Sequence, residues 1–524
     1  MQHVILLYSI KKAFALGKQF SDDSVWRRLY YNAGGVLATT LDYLSRIDEA
    51  EAVFKVIMEL EPTGFYTGDF ALFAQRRLKD NEKAQANYIK ALQAFPNQSS
   101  IHLKYAGFLR NVLKDQKKAA KHYTLACDAN PNNAEALGGF ASFLHGVVGD
   151  TVAAGEYYEK AFQVDHTHTN NLCNYGLFLS EIKKNYKRAE EVFKIAIASN
   201  SMHGNTLYNY AVMLDTHVKR KDEAEEVYKK CIAAEPKHAF ALYNVAVLME
   251  ESYLSNKPLD TSKGGGGAAA APMDKPTRNA YLQEVGTFYR RAMEADPNDV
   301  TALADYGRFT LMKAEDAGIA EPVLLKALKL NPKSENALFH LGIIFHRNRE
   351  NLSAAETIFR NVLRLNKKHP ASLLQLGRVL VDIFTKWSGG LFTAVSPVVI
   401  GTTQLDPIKS SGTKPNPEKN EIREVLDEGF TWYEMAIEHH KDPTVAMTEY
   451  SKLVALHGNA MQKMRAVKQL EAAFKRFDKD GSVRSNRNAE AIVQFLQANS
   501  KKKKDDNNKE VVKDKEKEKE DRGK

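Results

Sequence analysis

One interval constrains the fold of this chain more than any other feature: closely similar segments recur every 35 residues. LCNYGLFL begins at Leu172, LYNYAVML at Leu207 and LYNVAVLM at Leu242, and each has an asparagine at its third position. Repetition at such a period is typical of helical repeats, in which each unit buries its apolar face only by stacking on its neighbours. The interval therefore predicts an all-α array instead of one compact core.

A second pattern places a small residue, an aromatic residue four positions later and another small residue three after that. Spacings of three and four put these residues on one face of a helix. The small residues let a neighbouring helix approach, and the aromatic ring fills the space between helix pairs. An upstream segment such as YGLFL at 175–179 predicts the partner helix. The first sets are Ala50, Phe54 and Ile57; Ala84, Tyr88 and Ala91; Ala119, Tyr123 and Ala126; Ala154, Tyr158 and Ala161; Ala189, Phe193 and Ala196; Ala224, Tyr228 and Cys231. Later sets are Ala320, Leu324 and Ala327; Ala355, Phe359 and Val362; Gly429, Tyr433 and Ala436.

These residues resemble the tetratricopeptide repeat family, and the resemblance covers residues 31–480. It implies a right-handed α-solenoid of about ten antiparallel helix pairs, with binding as the activity. Most units run 35 residues, one more than the roughly 34 of the family, and we place the extra residue between the two helices of a pair. The tryptophan often found near the start of a unit is missing. Position 8 of the family pattern, a small residue, is matched by Ala106, Ala141, Gly176, Ala211, Ala246, Gly307, Gly342 and Gly377.

Composition and repeat phase predict how the chain is divided. Runs such as GGGGAAAA have no periodic apolar face and so predict a flexible loop, whereas the lysine-rich and acidic end predicts a disordered tail. The predicted segments are an N-terminal helical segment at 1–30, the first half of the array at 31–253, a Gly/Ala-rich flexible insertion at 254–276, the continued array at 277–387, a second insertion at 388–420, the last repeats with a capping helix at 421–499, and the charged tail at 500–524.

Candidate binding residues follow from the resemblance. In this family the first helix of each pair lines a concave groove, and position 6 points into it; asparagine ladders line this groove in O-linked N-acetylglucosamine transferases. A side-chain amide donates and accepts hydrogen bonds, so a row of amides can pair with an extended peptide backbone. Bridging between helices and recent duplication of one unit remain alternative explanations. The row, broken at Gly139, is Lys104, Asn174, Asn209, Asn244, Asp305, His340 and Gln375.

The leading functional hypothesis is a non-enzymatic scaffold that binds an extended peptide segment of another protein. One alternative is a helical-repeat RNA-binding protein, although a net charge of +9 over 524 residues is weak evidence for a nucleic acid ligand. Another is a regulatory subunit of a partner enzyme such as a glycosyltransferase. A carboxylate clamp for chaperone C-termini is disfavoured, because Gly139 stands where the unit after Lys104 requires asparagine.

No sequence motif predicts an enzyme, a metal site or a cofactor. No phosphate-binding loop, nucleophile elbow or zinc motif occurs. The segment FDKDGSVRS at 477–485 is similar to a calcium-binding loop, but Val483 replaces the required glycine and Ala489 the bidentate glutamate, so we expect no calcium. The three cysteines, Cys127, Cys173 and Cys231, form no close pair and no metal-ligand spacing.

Location is constrained only weakly. The sequence contains no run of about 18 or more apolar residues, so it predicts no membrane span. The apolar run near the N-terminus is short for a signal peptide, and three unpaired cysteines fit a reducing compartment. We therefore expect a cytoplasmic protein, with KKKK at 501–504 as an alternative nuclear signal.

Overall fold

A computed structural model describes the protein at Lys12 and at residues 24–61, 64–254, 275–388, 399–400, 403–404, 419–440, 442–477 and 492–499. Nearly all of these residues are helical, and consecutive helices pack against each other in pairs. The predicted all-α solenoid of tetratricopeptide-type helix pairs is confirmed. The helices form two compact units, which divide between Ala241 and Leu242.

The first unit contains six described helix pairs. The described residues of the two units include five short π-helical segments, each directly after a first helix. In order, the helices of the first unit are α1 (Ser24–Tyr43), α2 (Ile47–Leu60), α3 (Thr67–Phe73, then π-helical Ala74–Leu78), α4 (Asn81–Ala94), α5 (Ser99–Phe108, then Leu109–Leu113), α6 (Gln116–Ala129), α7 (Ala134–Phe143, then Leu144–Val148), α8 (Thr151–Val164), α9 (Thr169–Glu181), α10 (Tyr186–Ser199), α11 (Gly204–Val212, then Met213–Val218) and α12 (Lys221–Ala234).

The second unit continues the same alternation and begins within α13. A two-residue antiparallel pairing of β1 and β2 places Val399 opposite Gln404. In order, its elements are α13 (Ala239–Leu254), α14 (Lys275–Ala295), α15 (Val300–Met312), α16 (Ala317–Leu330), α17 (Glu335–Ile343, then π-helical Ile344–Asn348), α18 (Leu352–Leu365), α19 (Pro370–Ser388), β1 (Val399–Ile400), β2 (Thr403–Gln404), α20 (Lys419–His439), α21 (Thr444–His457), α22 (Ala460–Phe477) and a last helical segment, α23, at 492–499.

The predicted small and aromatic positions lie in the core. Tyr88, Tyr158 and Phe193 are each no more than 2% exposed. The ring of Tyr158 on α8 has its centroid 5.6 Å from that of Tyr175 and 5.2 Å from that of Phe178, both on α9. The aromatic residue of one pair therefore packs on the first helix of the next pair, which is how stacking buries the apolar faces.

Position 8 is small because an aromatic ring of the same pair lies against it. A Cβ at Gly176 would lie 2.7 Å from Cε1 of Phe193, and one at Gly342 would lie 2.7 Å from Cε1 of Phe359. Both distances are far below van der Waals contact, so either ring would have to move to admit a larger residue. The prediction that small residues permit close helix approach is confirmed.

The extra residue of the 35-residue units lies at the end of the first helix. In the first pair, the N–H of Arg46 bonds to the carbonyl of Leu41, five residues back, at 2.9 Å. In the second pair, the N–H of Asp80 bonds to the carbonyl of Ala74, six residues back, at 3.1 Å. A π-helical turn holds one residue more than an α-helical turn, so it accommodates the insertion. Equivalent six-residue bonds close the turns before Asp115, Asp150, Asn185, Arg220, Asp316 and Asn351.

After this turn the chain reverses through one left-handed residue and starts the second helix. Lys79 has a φ of +57°, and Gly149 occupies the equivalent place with a φ of +79°. Asp80 then caps α4, because its Oδ1 accepts a hydrogen bond of 2.9 Å from the N–H of Lys83. The chain thereby reverses its direction and starts the second helix of the pair within a few residues.

Several predicted segments lie wholly or mostly outside the described residues. These are the insertions at 254–276 and 388–420, the calcium-loop-like segment at 477–485 and the tail at 500–524. Of the N-terminal segment at 1–30, the described part from residue 24 belongs to α1, which continues across the predicted boundary into the array.

Candidate functional site

Two neighbouring first helices of the first unit each present two asparagines on one face. Asn170 and Asn174 lie one turn apart on α9, and Asn205 and Asn209 occupy the equivalent positions on α11. The two helices contact each other directly. Asn170, Asn174 and Asn205 are exposed, and Asn209 is half-buried. We call these four residues the four-amide patch.

Much of the hydrogen-bonding capacity of the patch is unused within the described residues. Asn174 and Asn205 make no side-chain hydrogen bond there. Oδ1 of Asn170 lies 2.9 Å from Nε2 of His203, and Nδ2 of Asn209 donates to Sγ of Cys173 at 3.4 Å. The amide group of Asn170 and the carbonyl oxygen of Asn209 thus remain available, and each asparagine can still bond to a ligand.

The surface beside the patch lacks bulky side chains. Gly139 takes the amide position on α7, one repeat before Asn174. A Cβ added at Gly107 would meet no other atom within 4 Å, and one added at Gly146 would approach only a guanidinium nitrogen of Arg110, at 3.8 Å. A Cβ at Gly139 would lie 3.0 Å from Cδ1 of Leu103, so the open glycine positions are Gly107 on α5 and Gly146 after α7. At these two positions a ligand main chain can approach the helix backbone closely.

Lys104, the candidate before Gly139, is paired within the fold. Its ammonium group forms an ion pair with the carboxylate of Asp69. Asp69 stands 35 residues earlier, at the equivalent position of the preceding repeat. Sequence reasoning missed Asp69 as a member of the row, although the interval identifies it directly. The two charges bridge neighbouring repeats, as the structural alternative predicted for this row.

In the second unit Asp305 belongs to a polar network. Its carboxylate accepts hydrogen bonds from the hydroxyl of Tyr243 at 2.6 Å and from Nδ2 of Asn336 at 2.8 Å. Arg308, one turn further along α15, donates to the two carboxylate oxygens of Glu250 at 2.7 and 2.6 Å. Glu250 is only 3% exposed, and its hydrogen bond raises the pKa of Arg308. Asp305 therefore serves the packing of these helices.

The remaining candidates of the second unit are less accessible. Asn244 is half-buried. His340 is 7% exposed, and its Nδ1 lies 2.8 Å from the carbonyl of Asn336. Burial lowers the pKa of His340 to about 4, so the ring is neutral at physiological pH. Gln375 is also buried, and its Oε1 has no hydrogen-bond partner in the described part of the chain.

The predicted row thus has two environments. In the first unit Asn174 and Asn209 have neighbours, Asn170 and Asn205, that sequence reasoning missed. The signal was present, since an Asn-x-x-x-Asn segment begins at 170 and again at 205, and residues four apart share a helix face.

The described residues contain no group of three or more His, Cys, Asp or Glu side chains that could hold a metal ion. None of their helices combines the length and the apolar character needed to cross a membrane. Cys127, Cys173 and Cys231 are buried free thiols, and burial raises the pKa of Cys127 to about 11.

The geometry defines a helical-repeat protein built from stacked antiparallel pairs with small and aromatic packing positions. Two family models described as tetratricopeptide repeat match the chain, one at residues 205–238 and the other at 310–370. The chain therefore contains tetratricopeptide repeats in these two segments. No curated protein sequence matches it.

Solved structures with similar folds have low sequence identity. A human IFIT1 dimer with PPP-AAAA has a TM-score of 0.41 and 14% identity, covering 79% of this chain and 91% of that chain. PilF from Pseudomonas aeruginosa has a TM-score of 0.36 and 17% identity, covering 46% and 94%. YrrB, described as a TPR protein with an unusual peptide-binding site, has a TM-score of 0.29 and 17% identity, covering 42% and 96%.

Proposed function

We propose that this protein is a non-catalytic scaffold whose four-amide patch binds the main chain of an extended segment from a partner protein. Protein interaction is the general role of tetratricopeptide repeats, and the patch is the place on the first unit that best suits a peptide. Asn174 carries the proposal, because it is exposed and its side chain makes no hydrogen bond within the described residues.

The spacing of the patch fits an extended strand. Packed helices lie about 8–10 Å apart, and a strand advances about 3.3 Å per residue. Asn174 on α9 and Asn209 on α11 therefore suit backbone groups about three residues apart. Asn170 and Asn205 add a second amide on each helix. Recognition through the main chain tolerates varied side chains, so the ligand is defined by its conformation more than by its sequence.

The glycine-lined surface beside the patch supports close approach of the ligand. At Gly107 on α5 an added Cβ would meet no atom within 4 Å, and at Gly139 on α7 there is no side chain at the amide position. Burying a peptide there requires few rearrangements of the protein, which limits the ordering cost of binding. Affinity then depends mainly on the cost of fixing the ligand in an extended form.

The test compares the wild-type chain with Asn174→Ala/Asn209→Ala and with the variant in which all four patch asparagines become alanine. Partners captured from a lysate are identified, and overlapping synthetic peptides from them are then titrated. Each lost hydrogen bond contributes about 0.5–1.5 kcal/mol. We therefore expect the double variant to weaken peptide binding about tenfold and the fourfold variant to weaken it further.

A matched control removes two exposed asparagines from turns between repeats, as Asn97→Ala/Asn132→Ala. This control should leave peptide binding unchanged. Helix content and thermal unfolding should stay close to wild type in every variant. Peptide affinity that is unaffected by the fourfold variant would contradict the proposal, and so would a loss of affinity that accompanies a loss of helix content.

A further inference from the structure

The first unit has an open cleft on a different face of α9 from the four-amide patch. It lies between α8 and α9, has a volume of about 570 Å³, and we call it the α8–α9 cleft. Phe178 and Leu179, both buried, lie at its base. The complete lining is Val152, Gly155, Glu156, Glu159, Lys160, Gln163, Tyr175, Phe178, Leu179 and Lys183.

The cleft is open because a glycine replaces a glutamate of the next repeat. At the equivalent position on α10, Glu190 accepts hydrogen bonds from Tyr210 at 3.2 Å and from Arg220 at 2.9 Å, and it pairs with Lys194 at 2.7 Å. On α8 the same position is Gly155, where an added Cβ would lie 3.4 Å from Cε1 of Phe178. The ion cluster of one repeat is therefore absent from the other, where the cleft lies over the largely buried ring of Phe178.

The rim of the cleft is unusually apolar for this helix position. Val152 is 68% exposed, while the equivalent residues of the adjacent repeats are Lys117 and Lys187. In the same region Val148 is 55% exposed and Ile182 is 40% exposed. Apolar side chains exposed together around a concavity are characteristic of interaction sites.

The turns that join first and second helices of the first unit are basic around this apolar point. Five equivalent turns together contain fifteen lysines and arginines but only eight acidic residues. These turns lie at 76–83, 110–118, 145–153, 180–188 and 215–223. The middle turn, which carries Val148 and Val152, contains no lysine or arginine. The apolar cleft is thus flanked on both sides by basic repeats.

The turn geometry does not require these lysines. Lys79, Lys114, Lys184 and Lys219 adopt left-handed conformations with φ between +52° and +63°, while Gly149 takes the same place at +79°. Glycine adopts this conformation without strain and lysine does not.

Four cations around the cleft have no carboxylate partner in the described part of the chain. Lys114 and Lys117 lie in the turn before it, and Lys183 and Lys187 in the turn after it. Nζ of Lys183 lies 5.5 Å from the centroid of the Phe178 ring, at the cleft itself. The cations at the cleft are therefore free to pair with an incoming anion.

The two acids of the lining differ in how they are held. Glu159 accepts a hydrogen bond of 2.5 Å from the hydroxyl of Tyr175. Glu156 is exposed on the same face of α8 as Lys160, one turn later. The cleft interior therefore suits an uncharged side chain, whereas negative charge belongs on either side of it.

We infer that the α8–α9 cleft docks an acidic amphipathic segment of a partner protein. A large aliphatic or aromatic side chain of that segment enters the cleft and packs against the exposed Val152 at its rim, with the buried Phe178 and Leu179 at its base. Aspartates and glutamates on either side of this anchor pair with Lys114 and Lys117 in one direction and with Lys183 and Lys187 in the other. The site is separate from the four-amide patch and does not depend on it.

The experiment uses a displayed library of random peptides selected on the full-length chain. We expect enriched peptides to share one or two large apolar residues flanked by Asp or Glu. Their synthetic forms are then titrated against Val152→Lys and Gly155→Glu, which install residues that the next repeat already carries at Lys187 and Glu190. Each variant should weaken binding about tenfold, equivalent to 1.4 kcal/mol, because the anchor is no longer buried.

Two further variants separate the parts of the inference. Val164→Lys adds the same charge at the far end of α8, outside the cleft lining, and should leave affinity unchanged. Lys183→Glu/Lys187→Glu leaves the apolar lining intact and should weaken peptide binding by removing the positive charges. Added salt should lower the affinity of the wild type more steeply than that of this variant, because salt screens the ion pairs that the variant lacks. These two variants keep the test decisive even if a cleft substitution disturbs the helix pair.

Three outcomes overturn the inference. The first is a set of selected peptides without acidic residues, and the second is acidic peptides whose affinity Val152→Lys leaves unchanged. The third is binding of single-stranded oligouridylate that is stronger with Val152→Lys and absent for the peptides, since an added lysine favours phosphate. In that case the basic turns serve a nucleic acid.

Discussion

The same repeat position has different environments on α9 and α11 of the first unit and on α15 and α17 of the second, although Lys104 of the first unit is paired internally with Asp69. Asn174 and Asn209 of the first unit lie on an accessible face, whereas Asp305 and His340 of the second are held by internal hydrogen bonds. In the second unit Arg378 also pairs with Glu449, whose carboxylate accepts a further hydrogen bond from the hydroxyl of Tyr433. A repeat position therefore fixes the direction of a side chain, while the adjacent repeats decide whether a ligand can reach it.

The largest effect on this comparison should come from breaking the buried ion pair of the second unit. Arg308→Leu leaves Glu250 buried without its cation, a change that typically destabilises by about 3–5 kcal/mol. Thermal unfolding should show a transition at markedly lower temperature. Arg347→Ala, at an exposed position, is the control and should shift the transition by little. Similar unfolding of the two variants would show that the network contributes no specific stability.

Acid should destabilise the second unit through His340. Its folded pKa of about 4 lies below its usual 6.5, so the unfolded chain binds the proton first as pH falls. Stability is then complete above about pH 6.5 and is lost between 6.5 and about 4, with a total near 3 kcal/mol. Denaturation of wild type and His340→Gln across this window measures the effect. The variant should lose less stability on acidification, and equal slopes would exclude His340 as a source.

Glycine at position 8 should matter equally in both units. Gly176→Ala and Gly342→Ala force Phe193 and Phe359 to move, and such overpacking costs about 1–3 kcal/mol. Gly107→Ala provides the contrast, because its Cβ meets no atom within 4 Å, and alanine is favoured over glycine in a helix by up to about 1 kcal/mol. Chemical denaturation of the three variants gives the order. A destabilising Gly107→Ala would show that the surface around this glycine is packed instead of open.

The smallest effect on stability should come from the accessible amides. Asn174→Ala and Asn205→Ala remove no hydrogen bond within the described residues, so each should change the free energy of unfolding by less than about 0.5 kcal/mol. Their effect should be seen in ligand affinity alone. If either substitution destabilises the fold by much more, the amides bridge helices and the contrast between the units disappears.

The fold was predictable because its determinants are periodic. Tyr88, Tyr158 and Phe193 were identified as core residues from spacing alone, and each is buried. The position of the extra residue was predicted as well, since both helices keep their phase around it. Its form as a π-helical turn was not, because periodicity gives the number of residues in a junction and not their dihedral angles.

The candidate site was less predictable because it depends on residues in neighbouring repeats. Lys104 forms an ion pair with Asp69, and Asp305 accepts hydrogen bonds from Tyr243 and Asn336. Those pairings require the three-dimensional stacking. The α8–α9 cleft has a sequence signal in hindsight, since Gly155 stands where the next repeat has Glu190. Only the structure shows that no other described residue fills the space.

The π-helical junction has a consequence for how this chain can change in length. Both predicted insertions, 254–276 and 388–420, fall between the first and second helix of a pair, the place where other repeats carry their single extra residue. Repeat arrays tolerate added residues best where both flanking helices keep their packing phase. One edge of each unit is therefore a natural grafting position, at which new sequence can be added without changing the spacing of residues on the binding face.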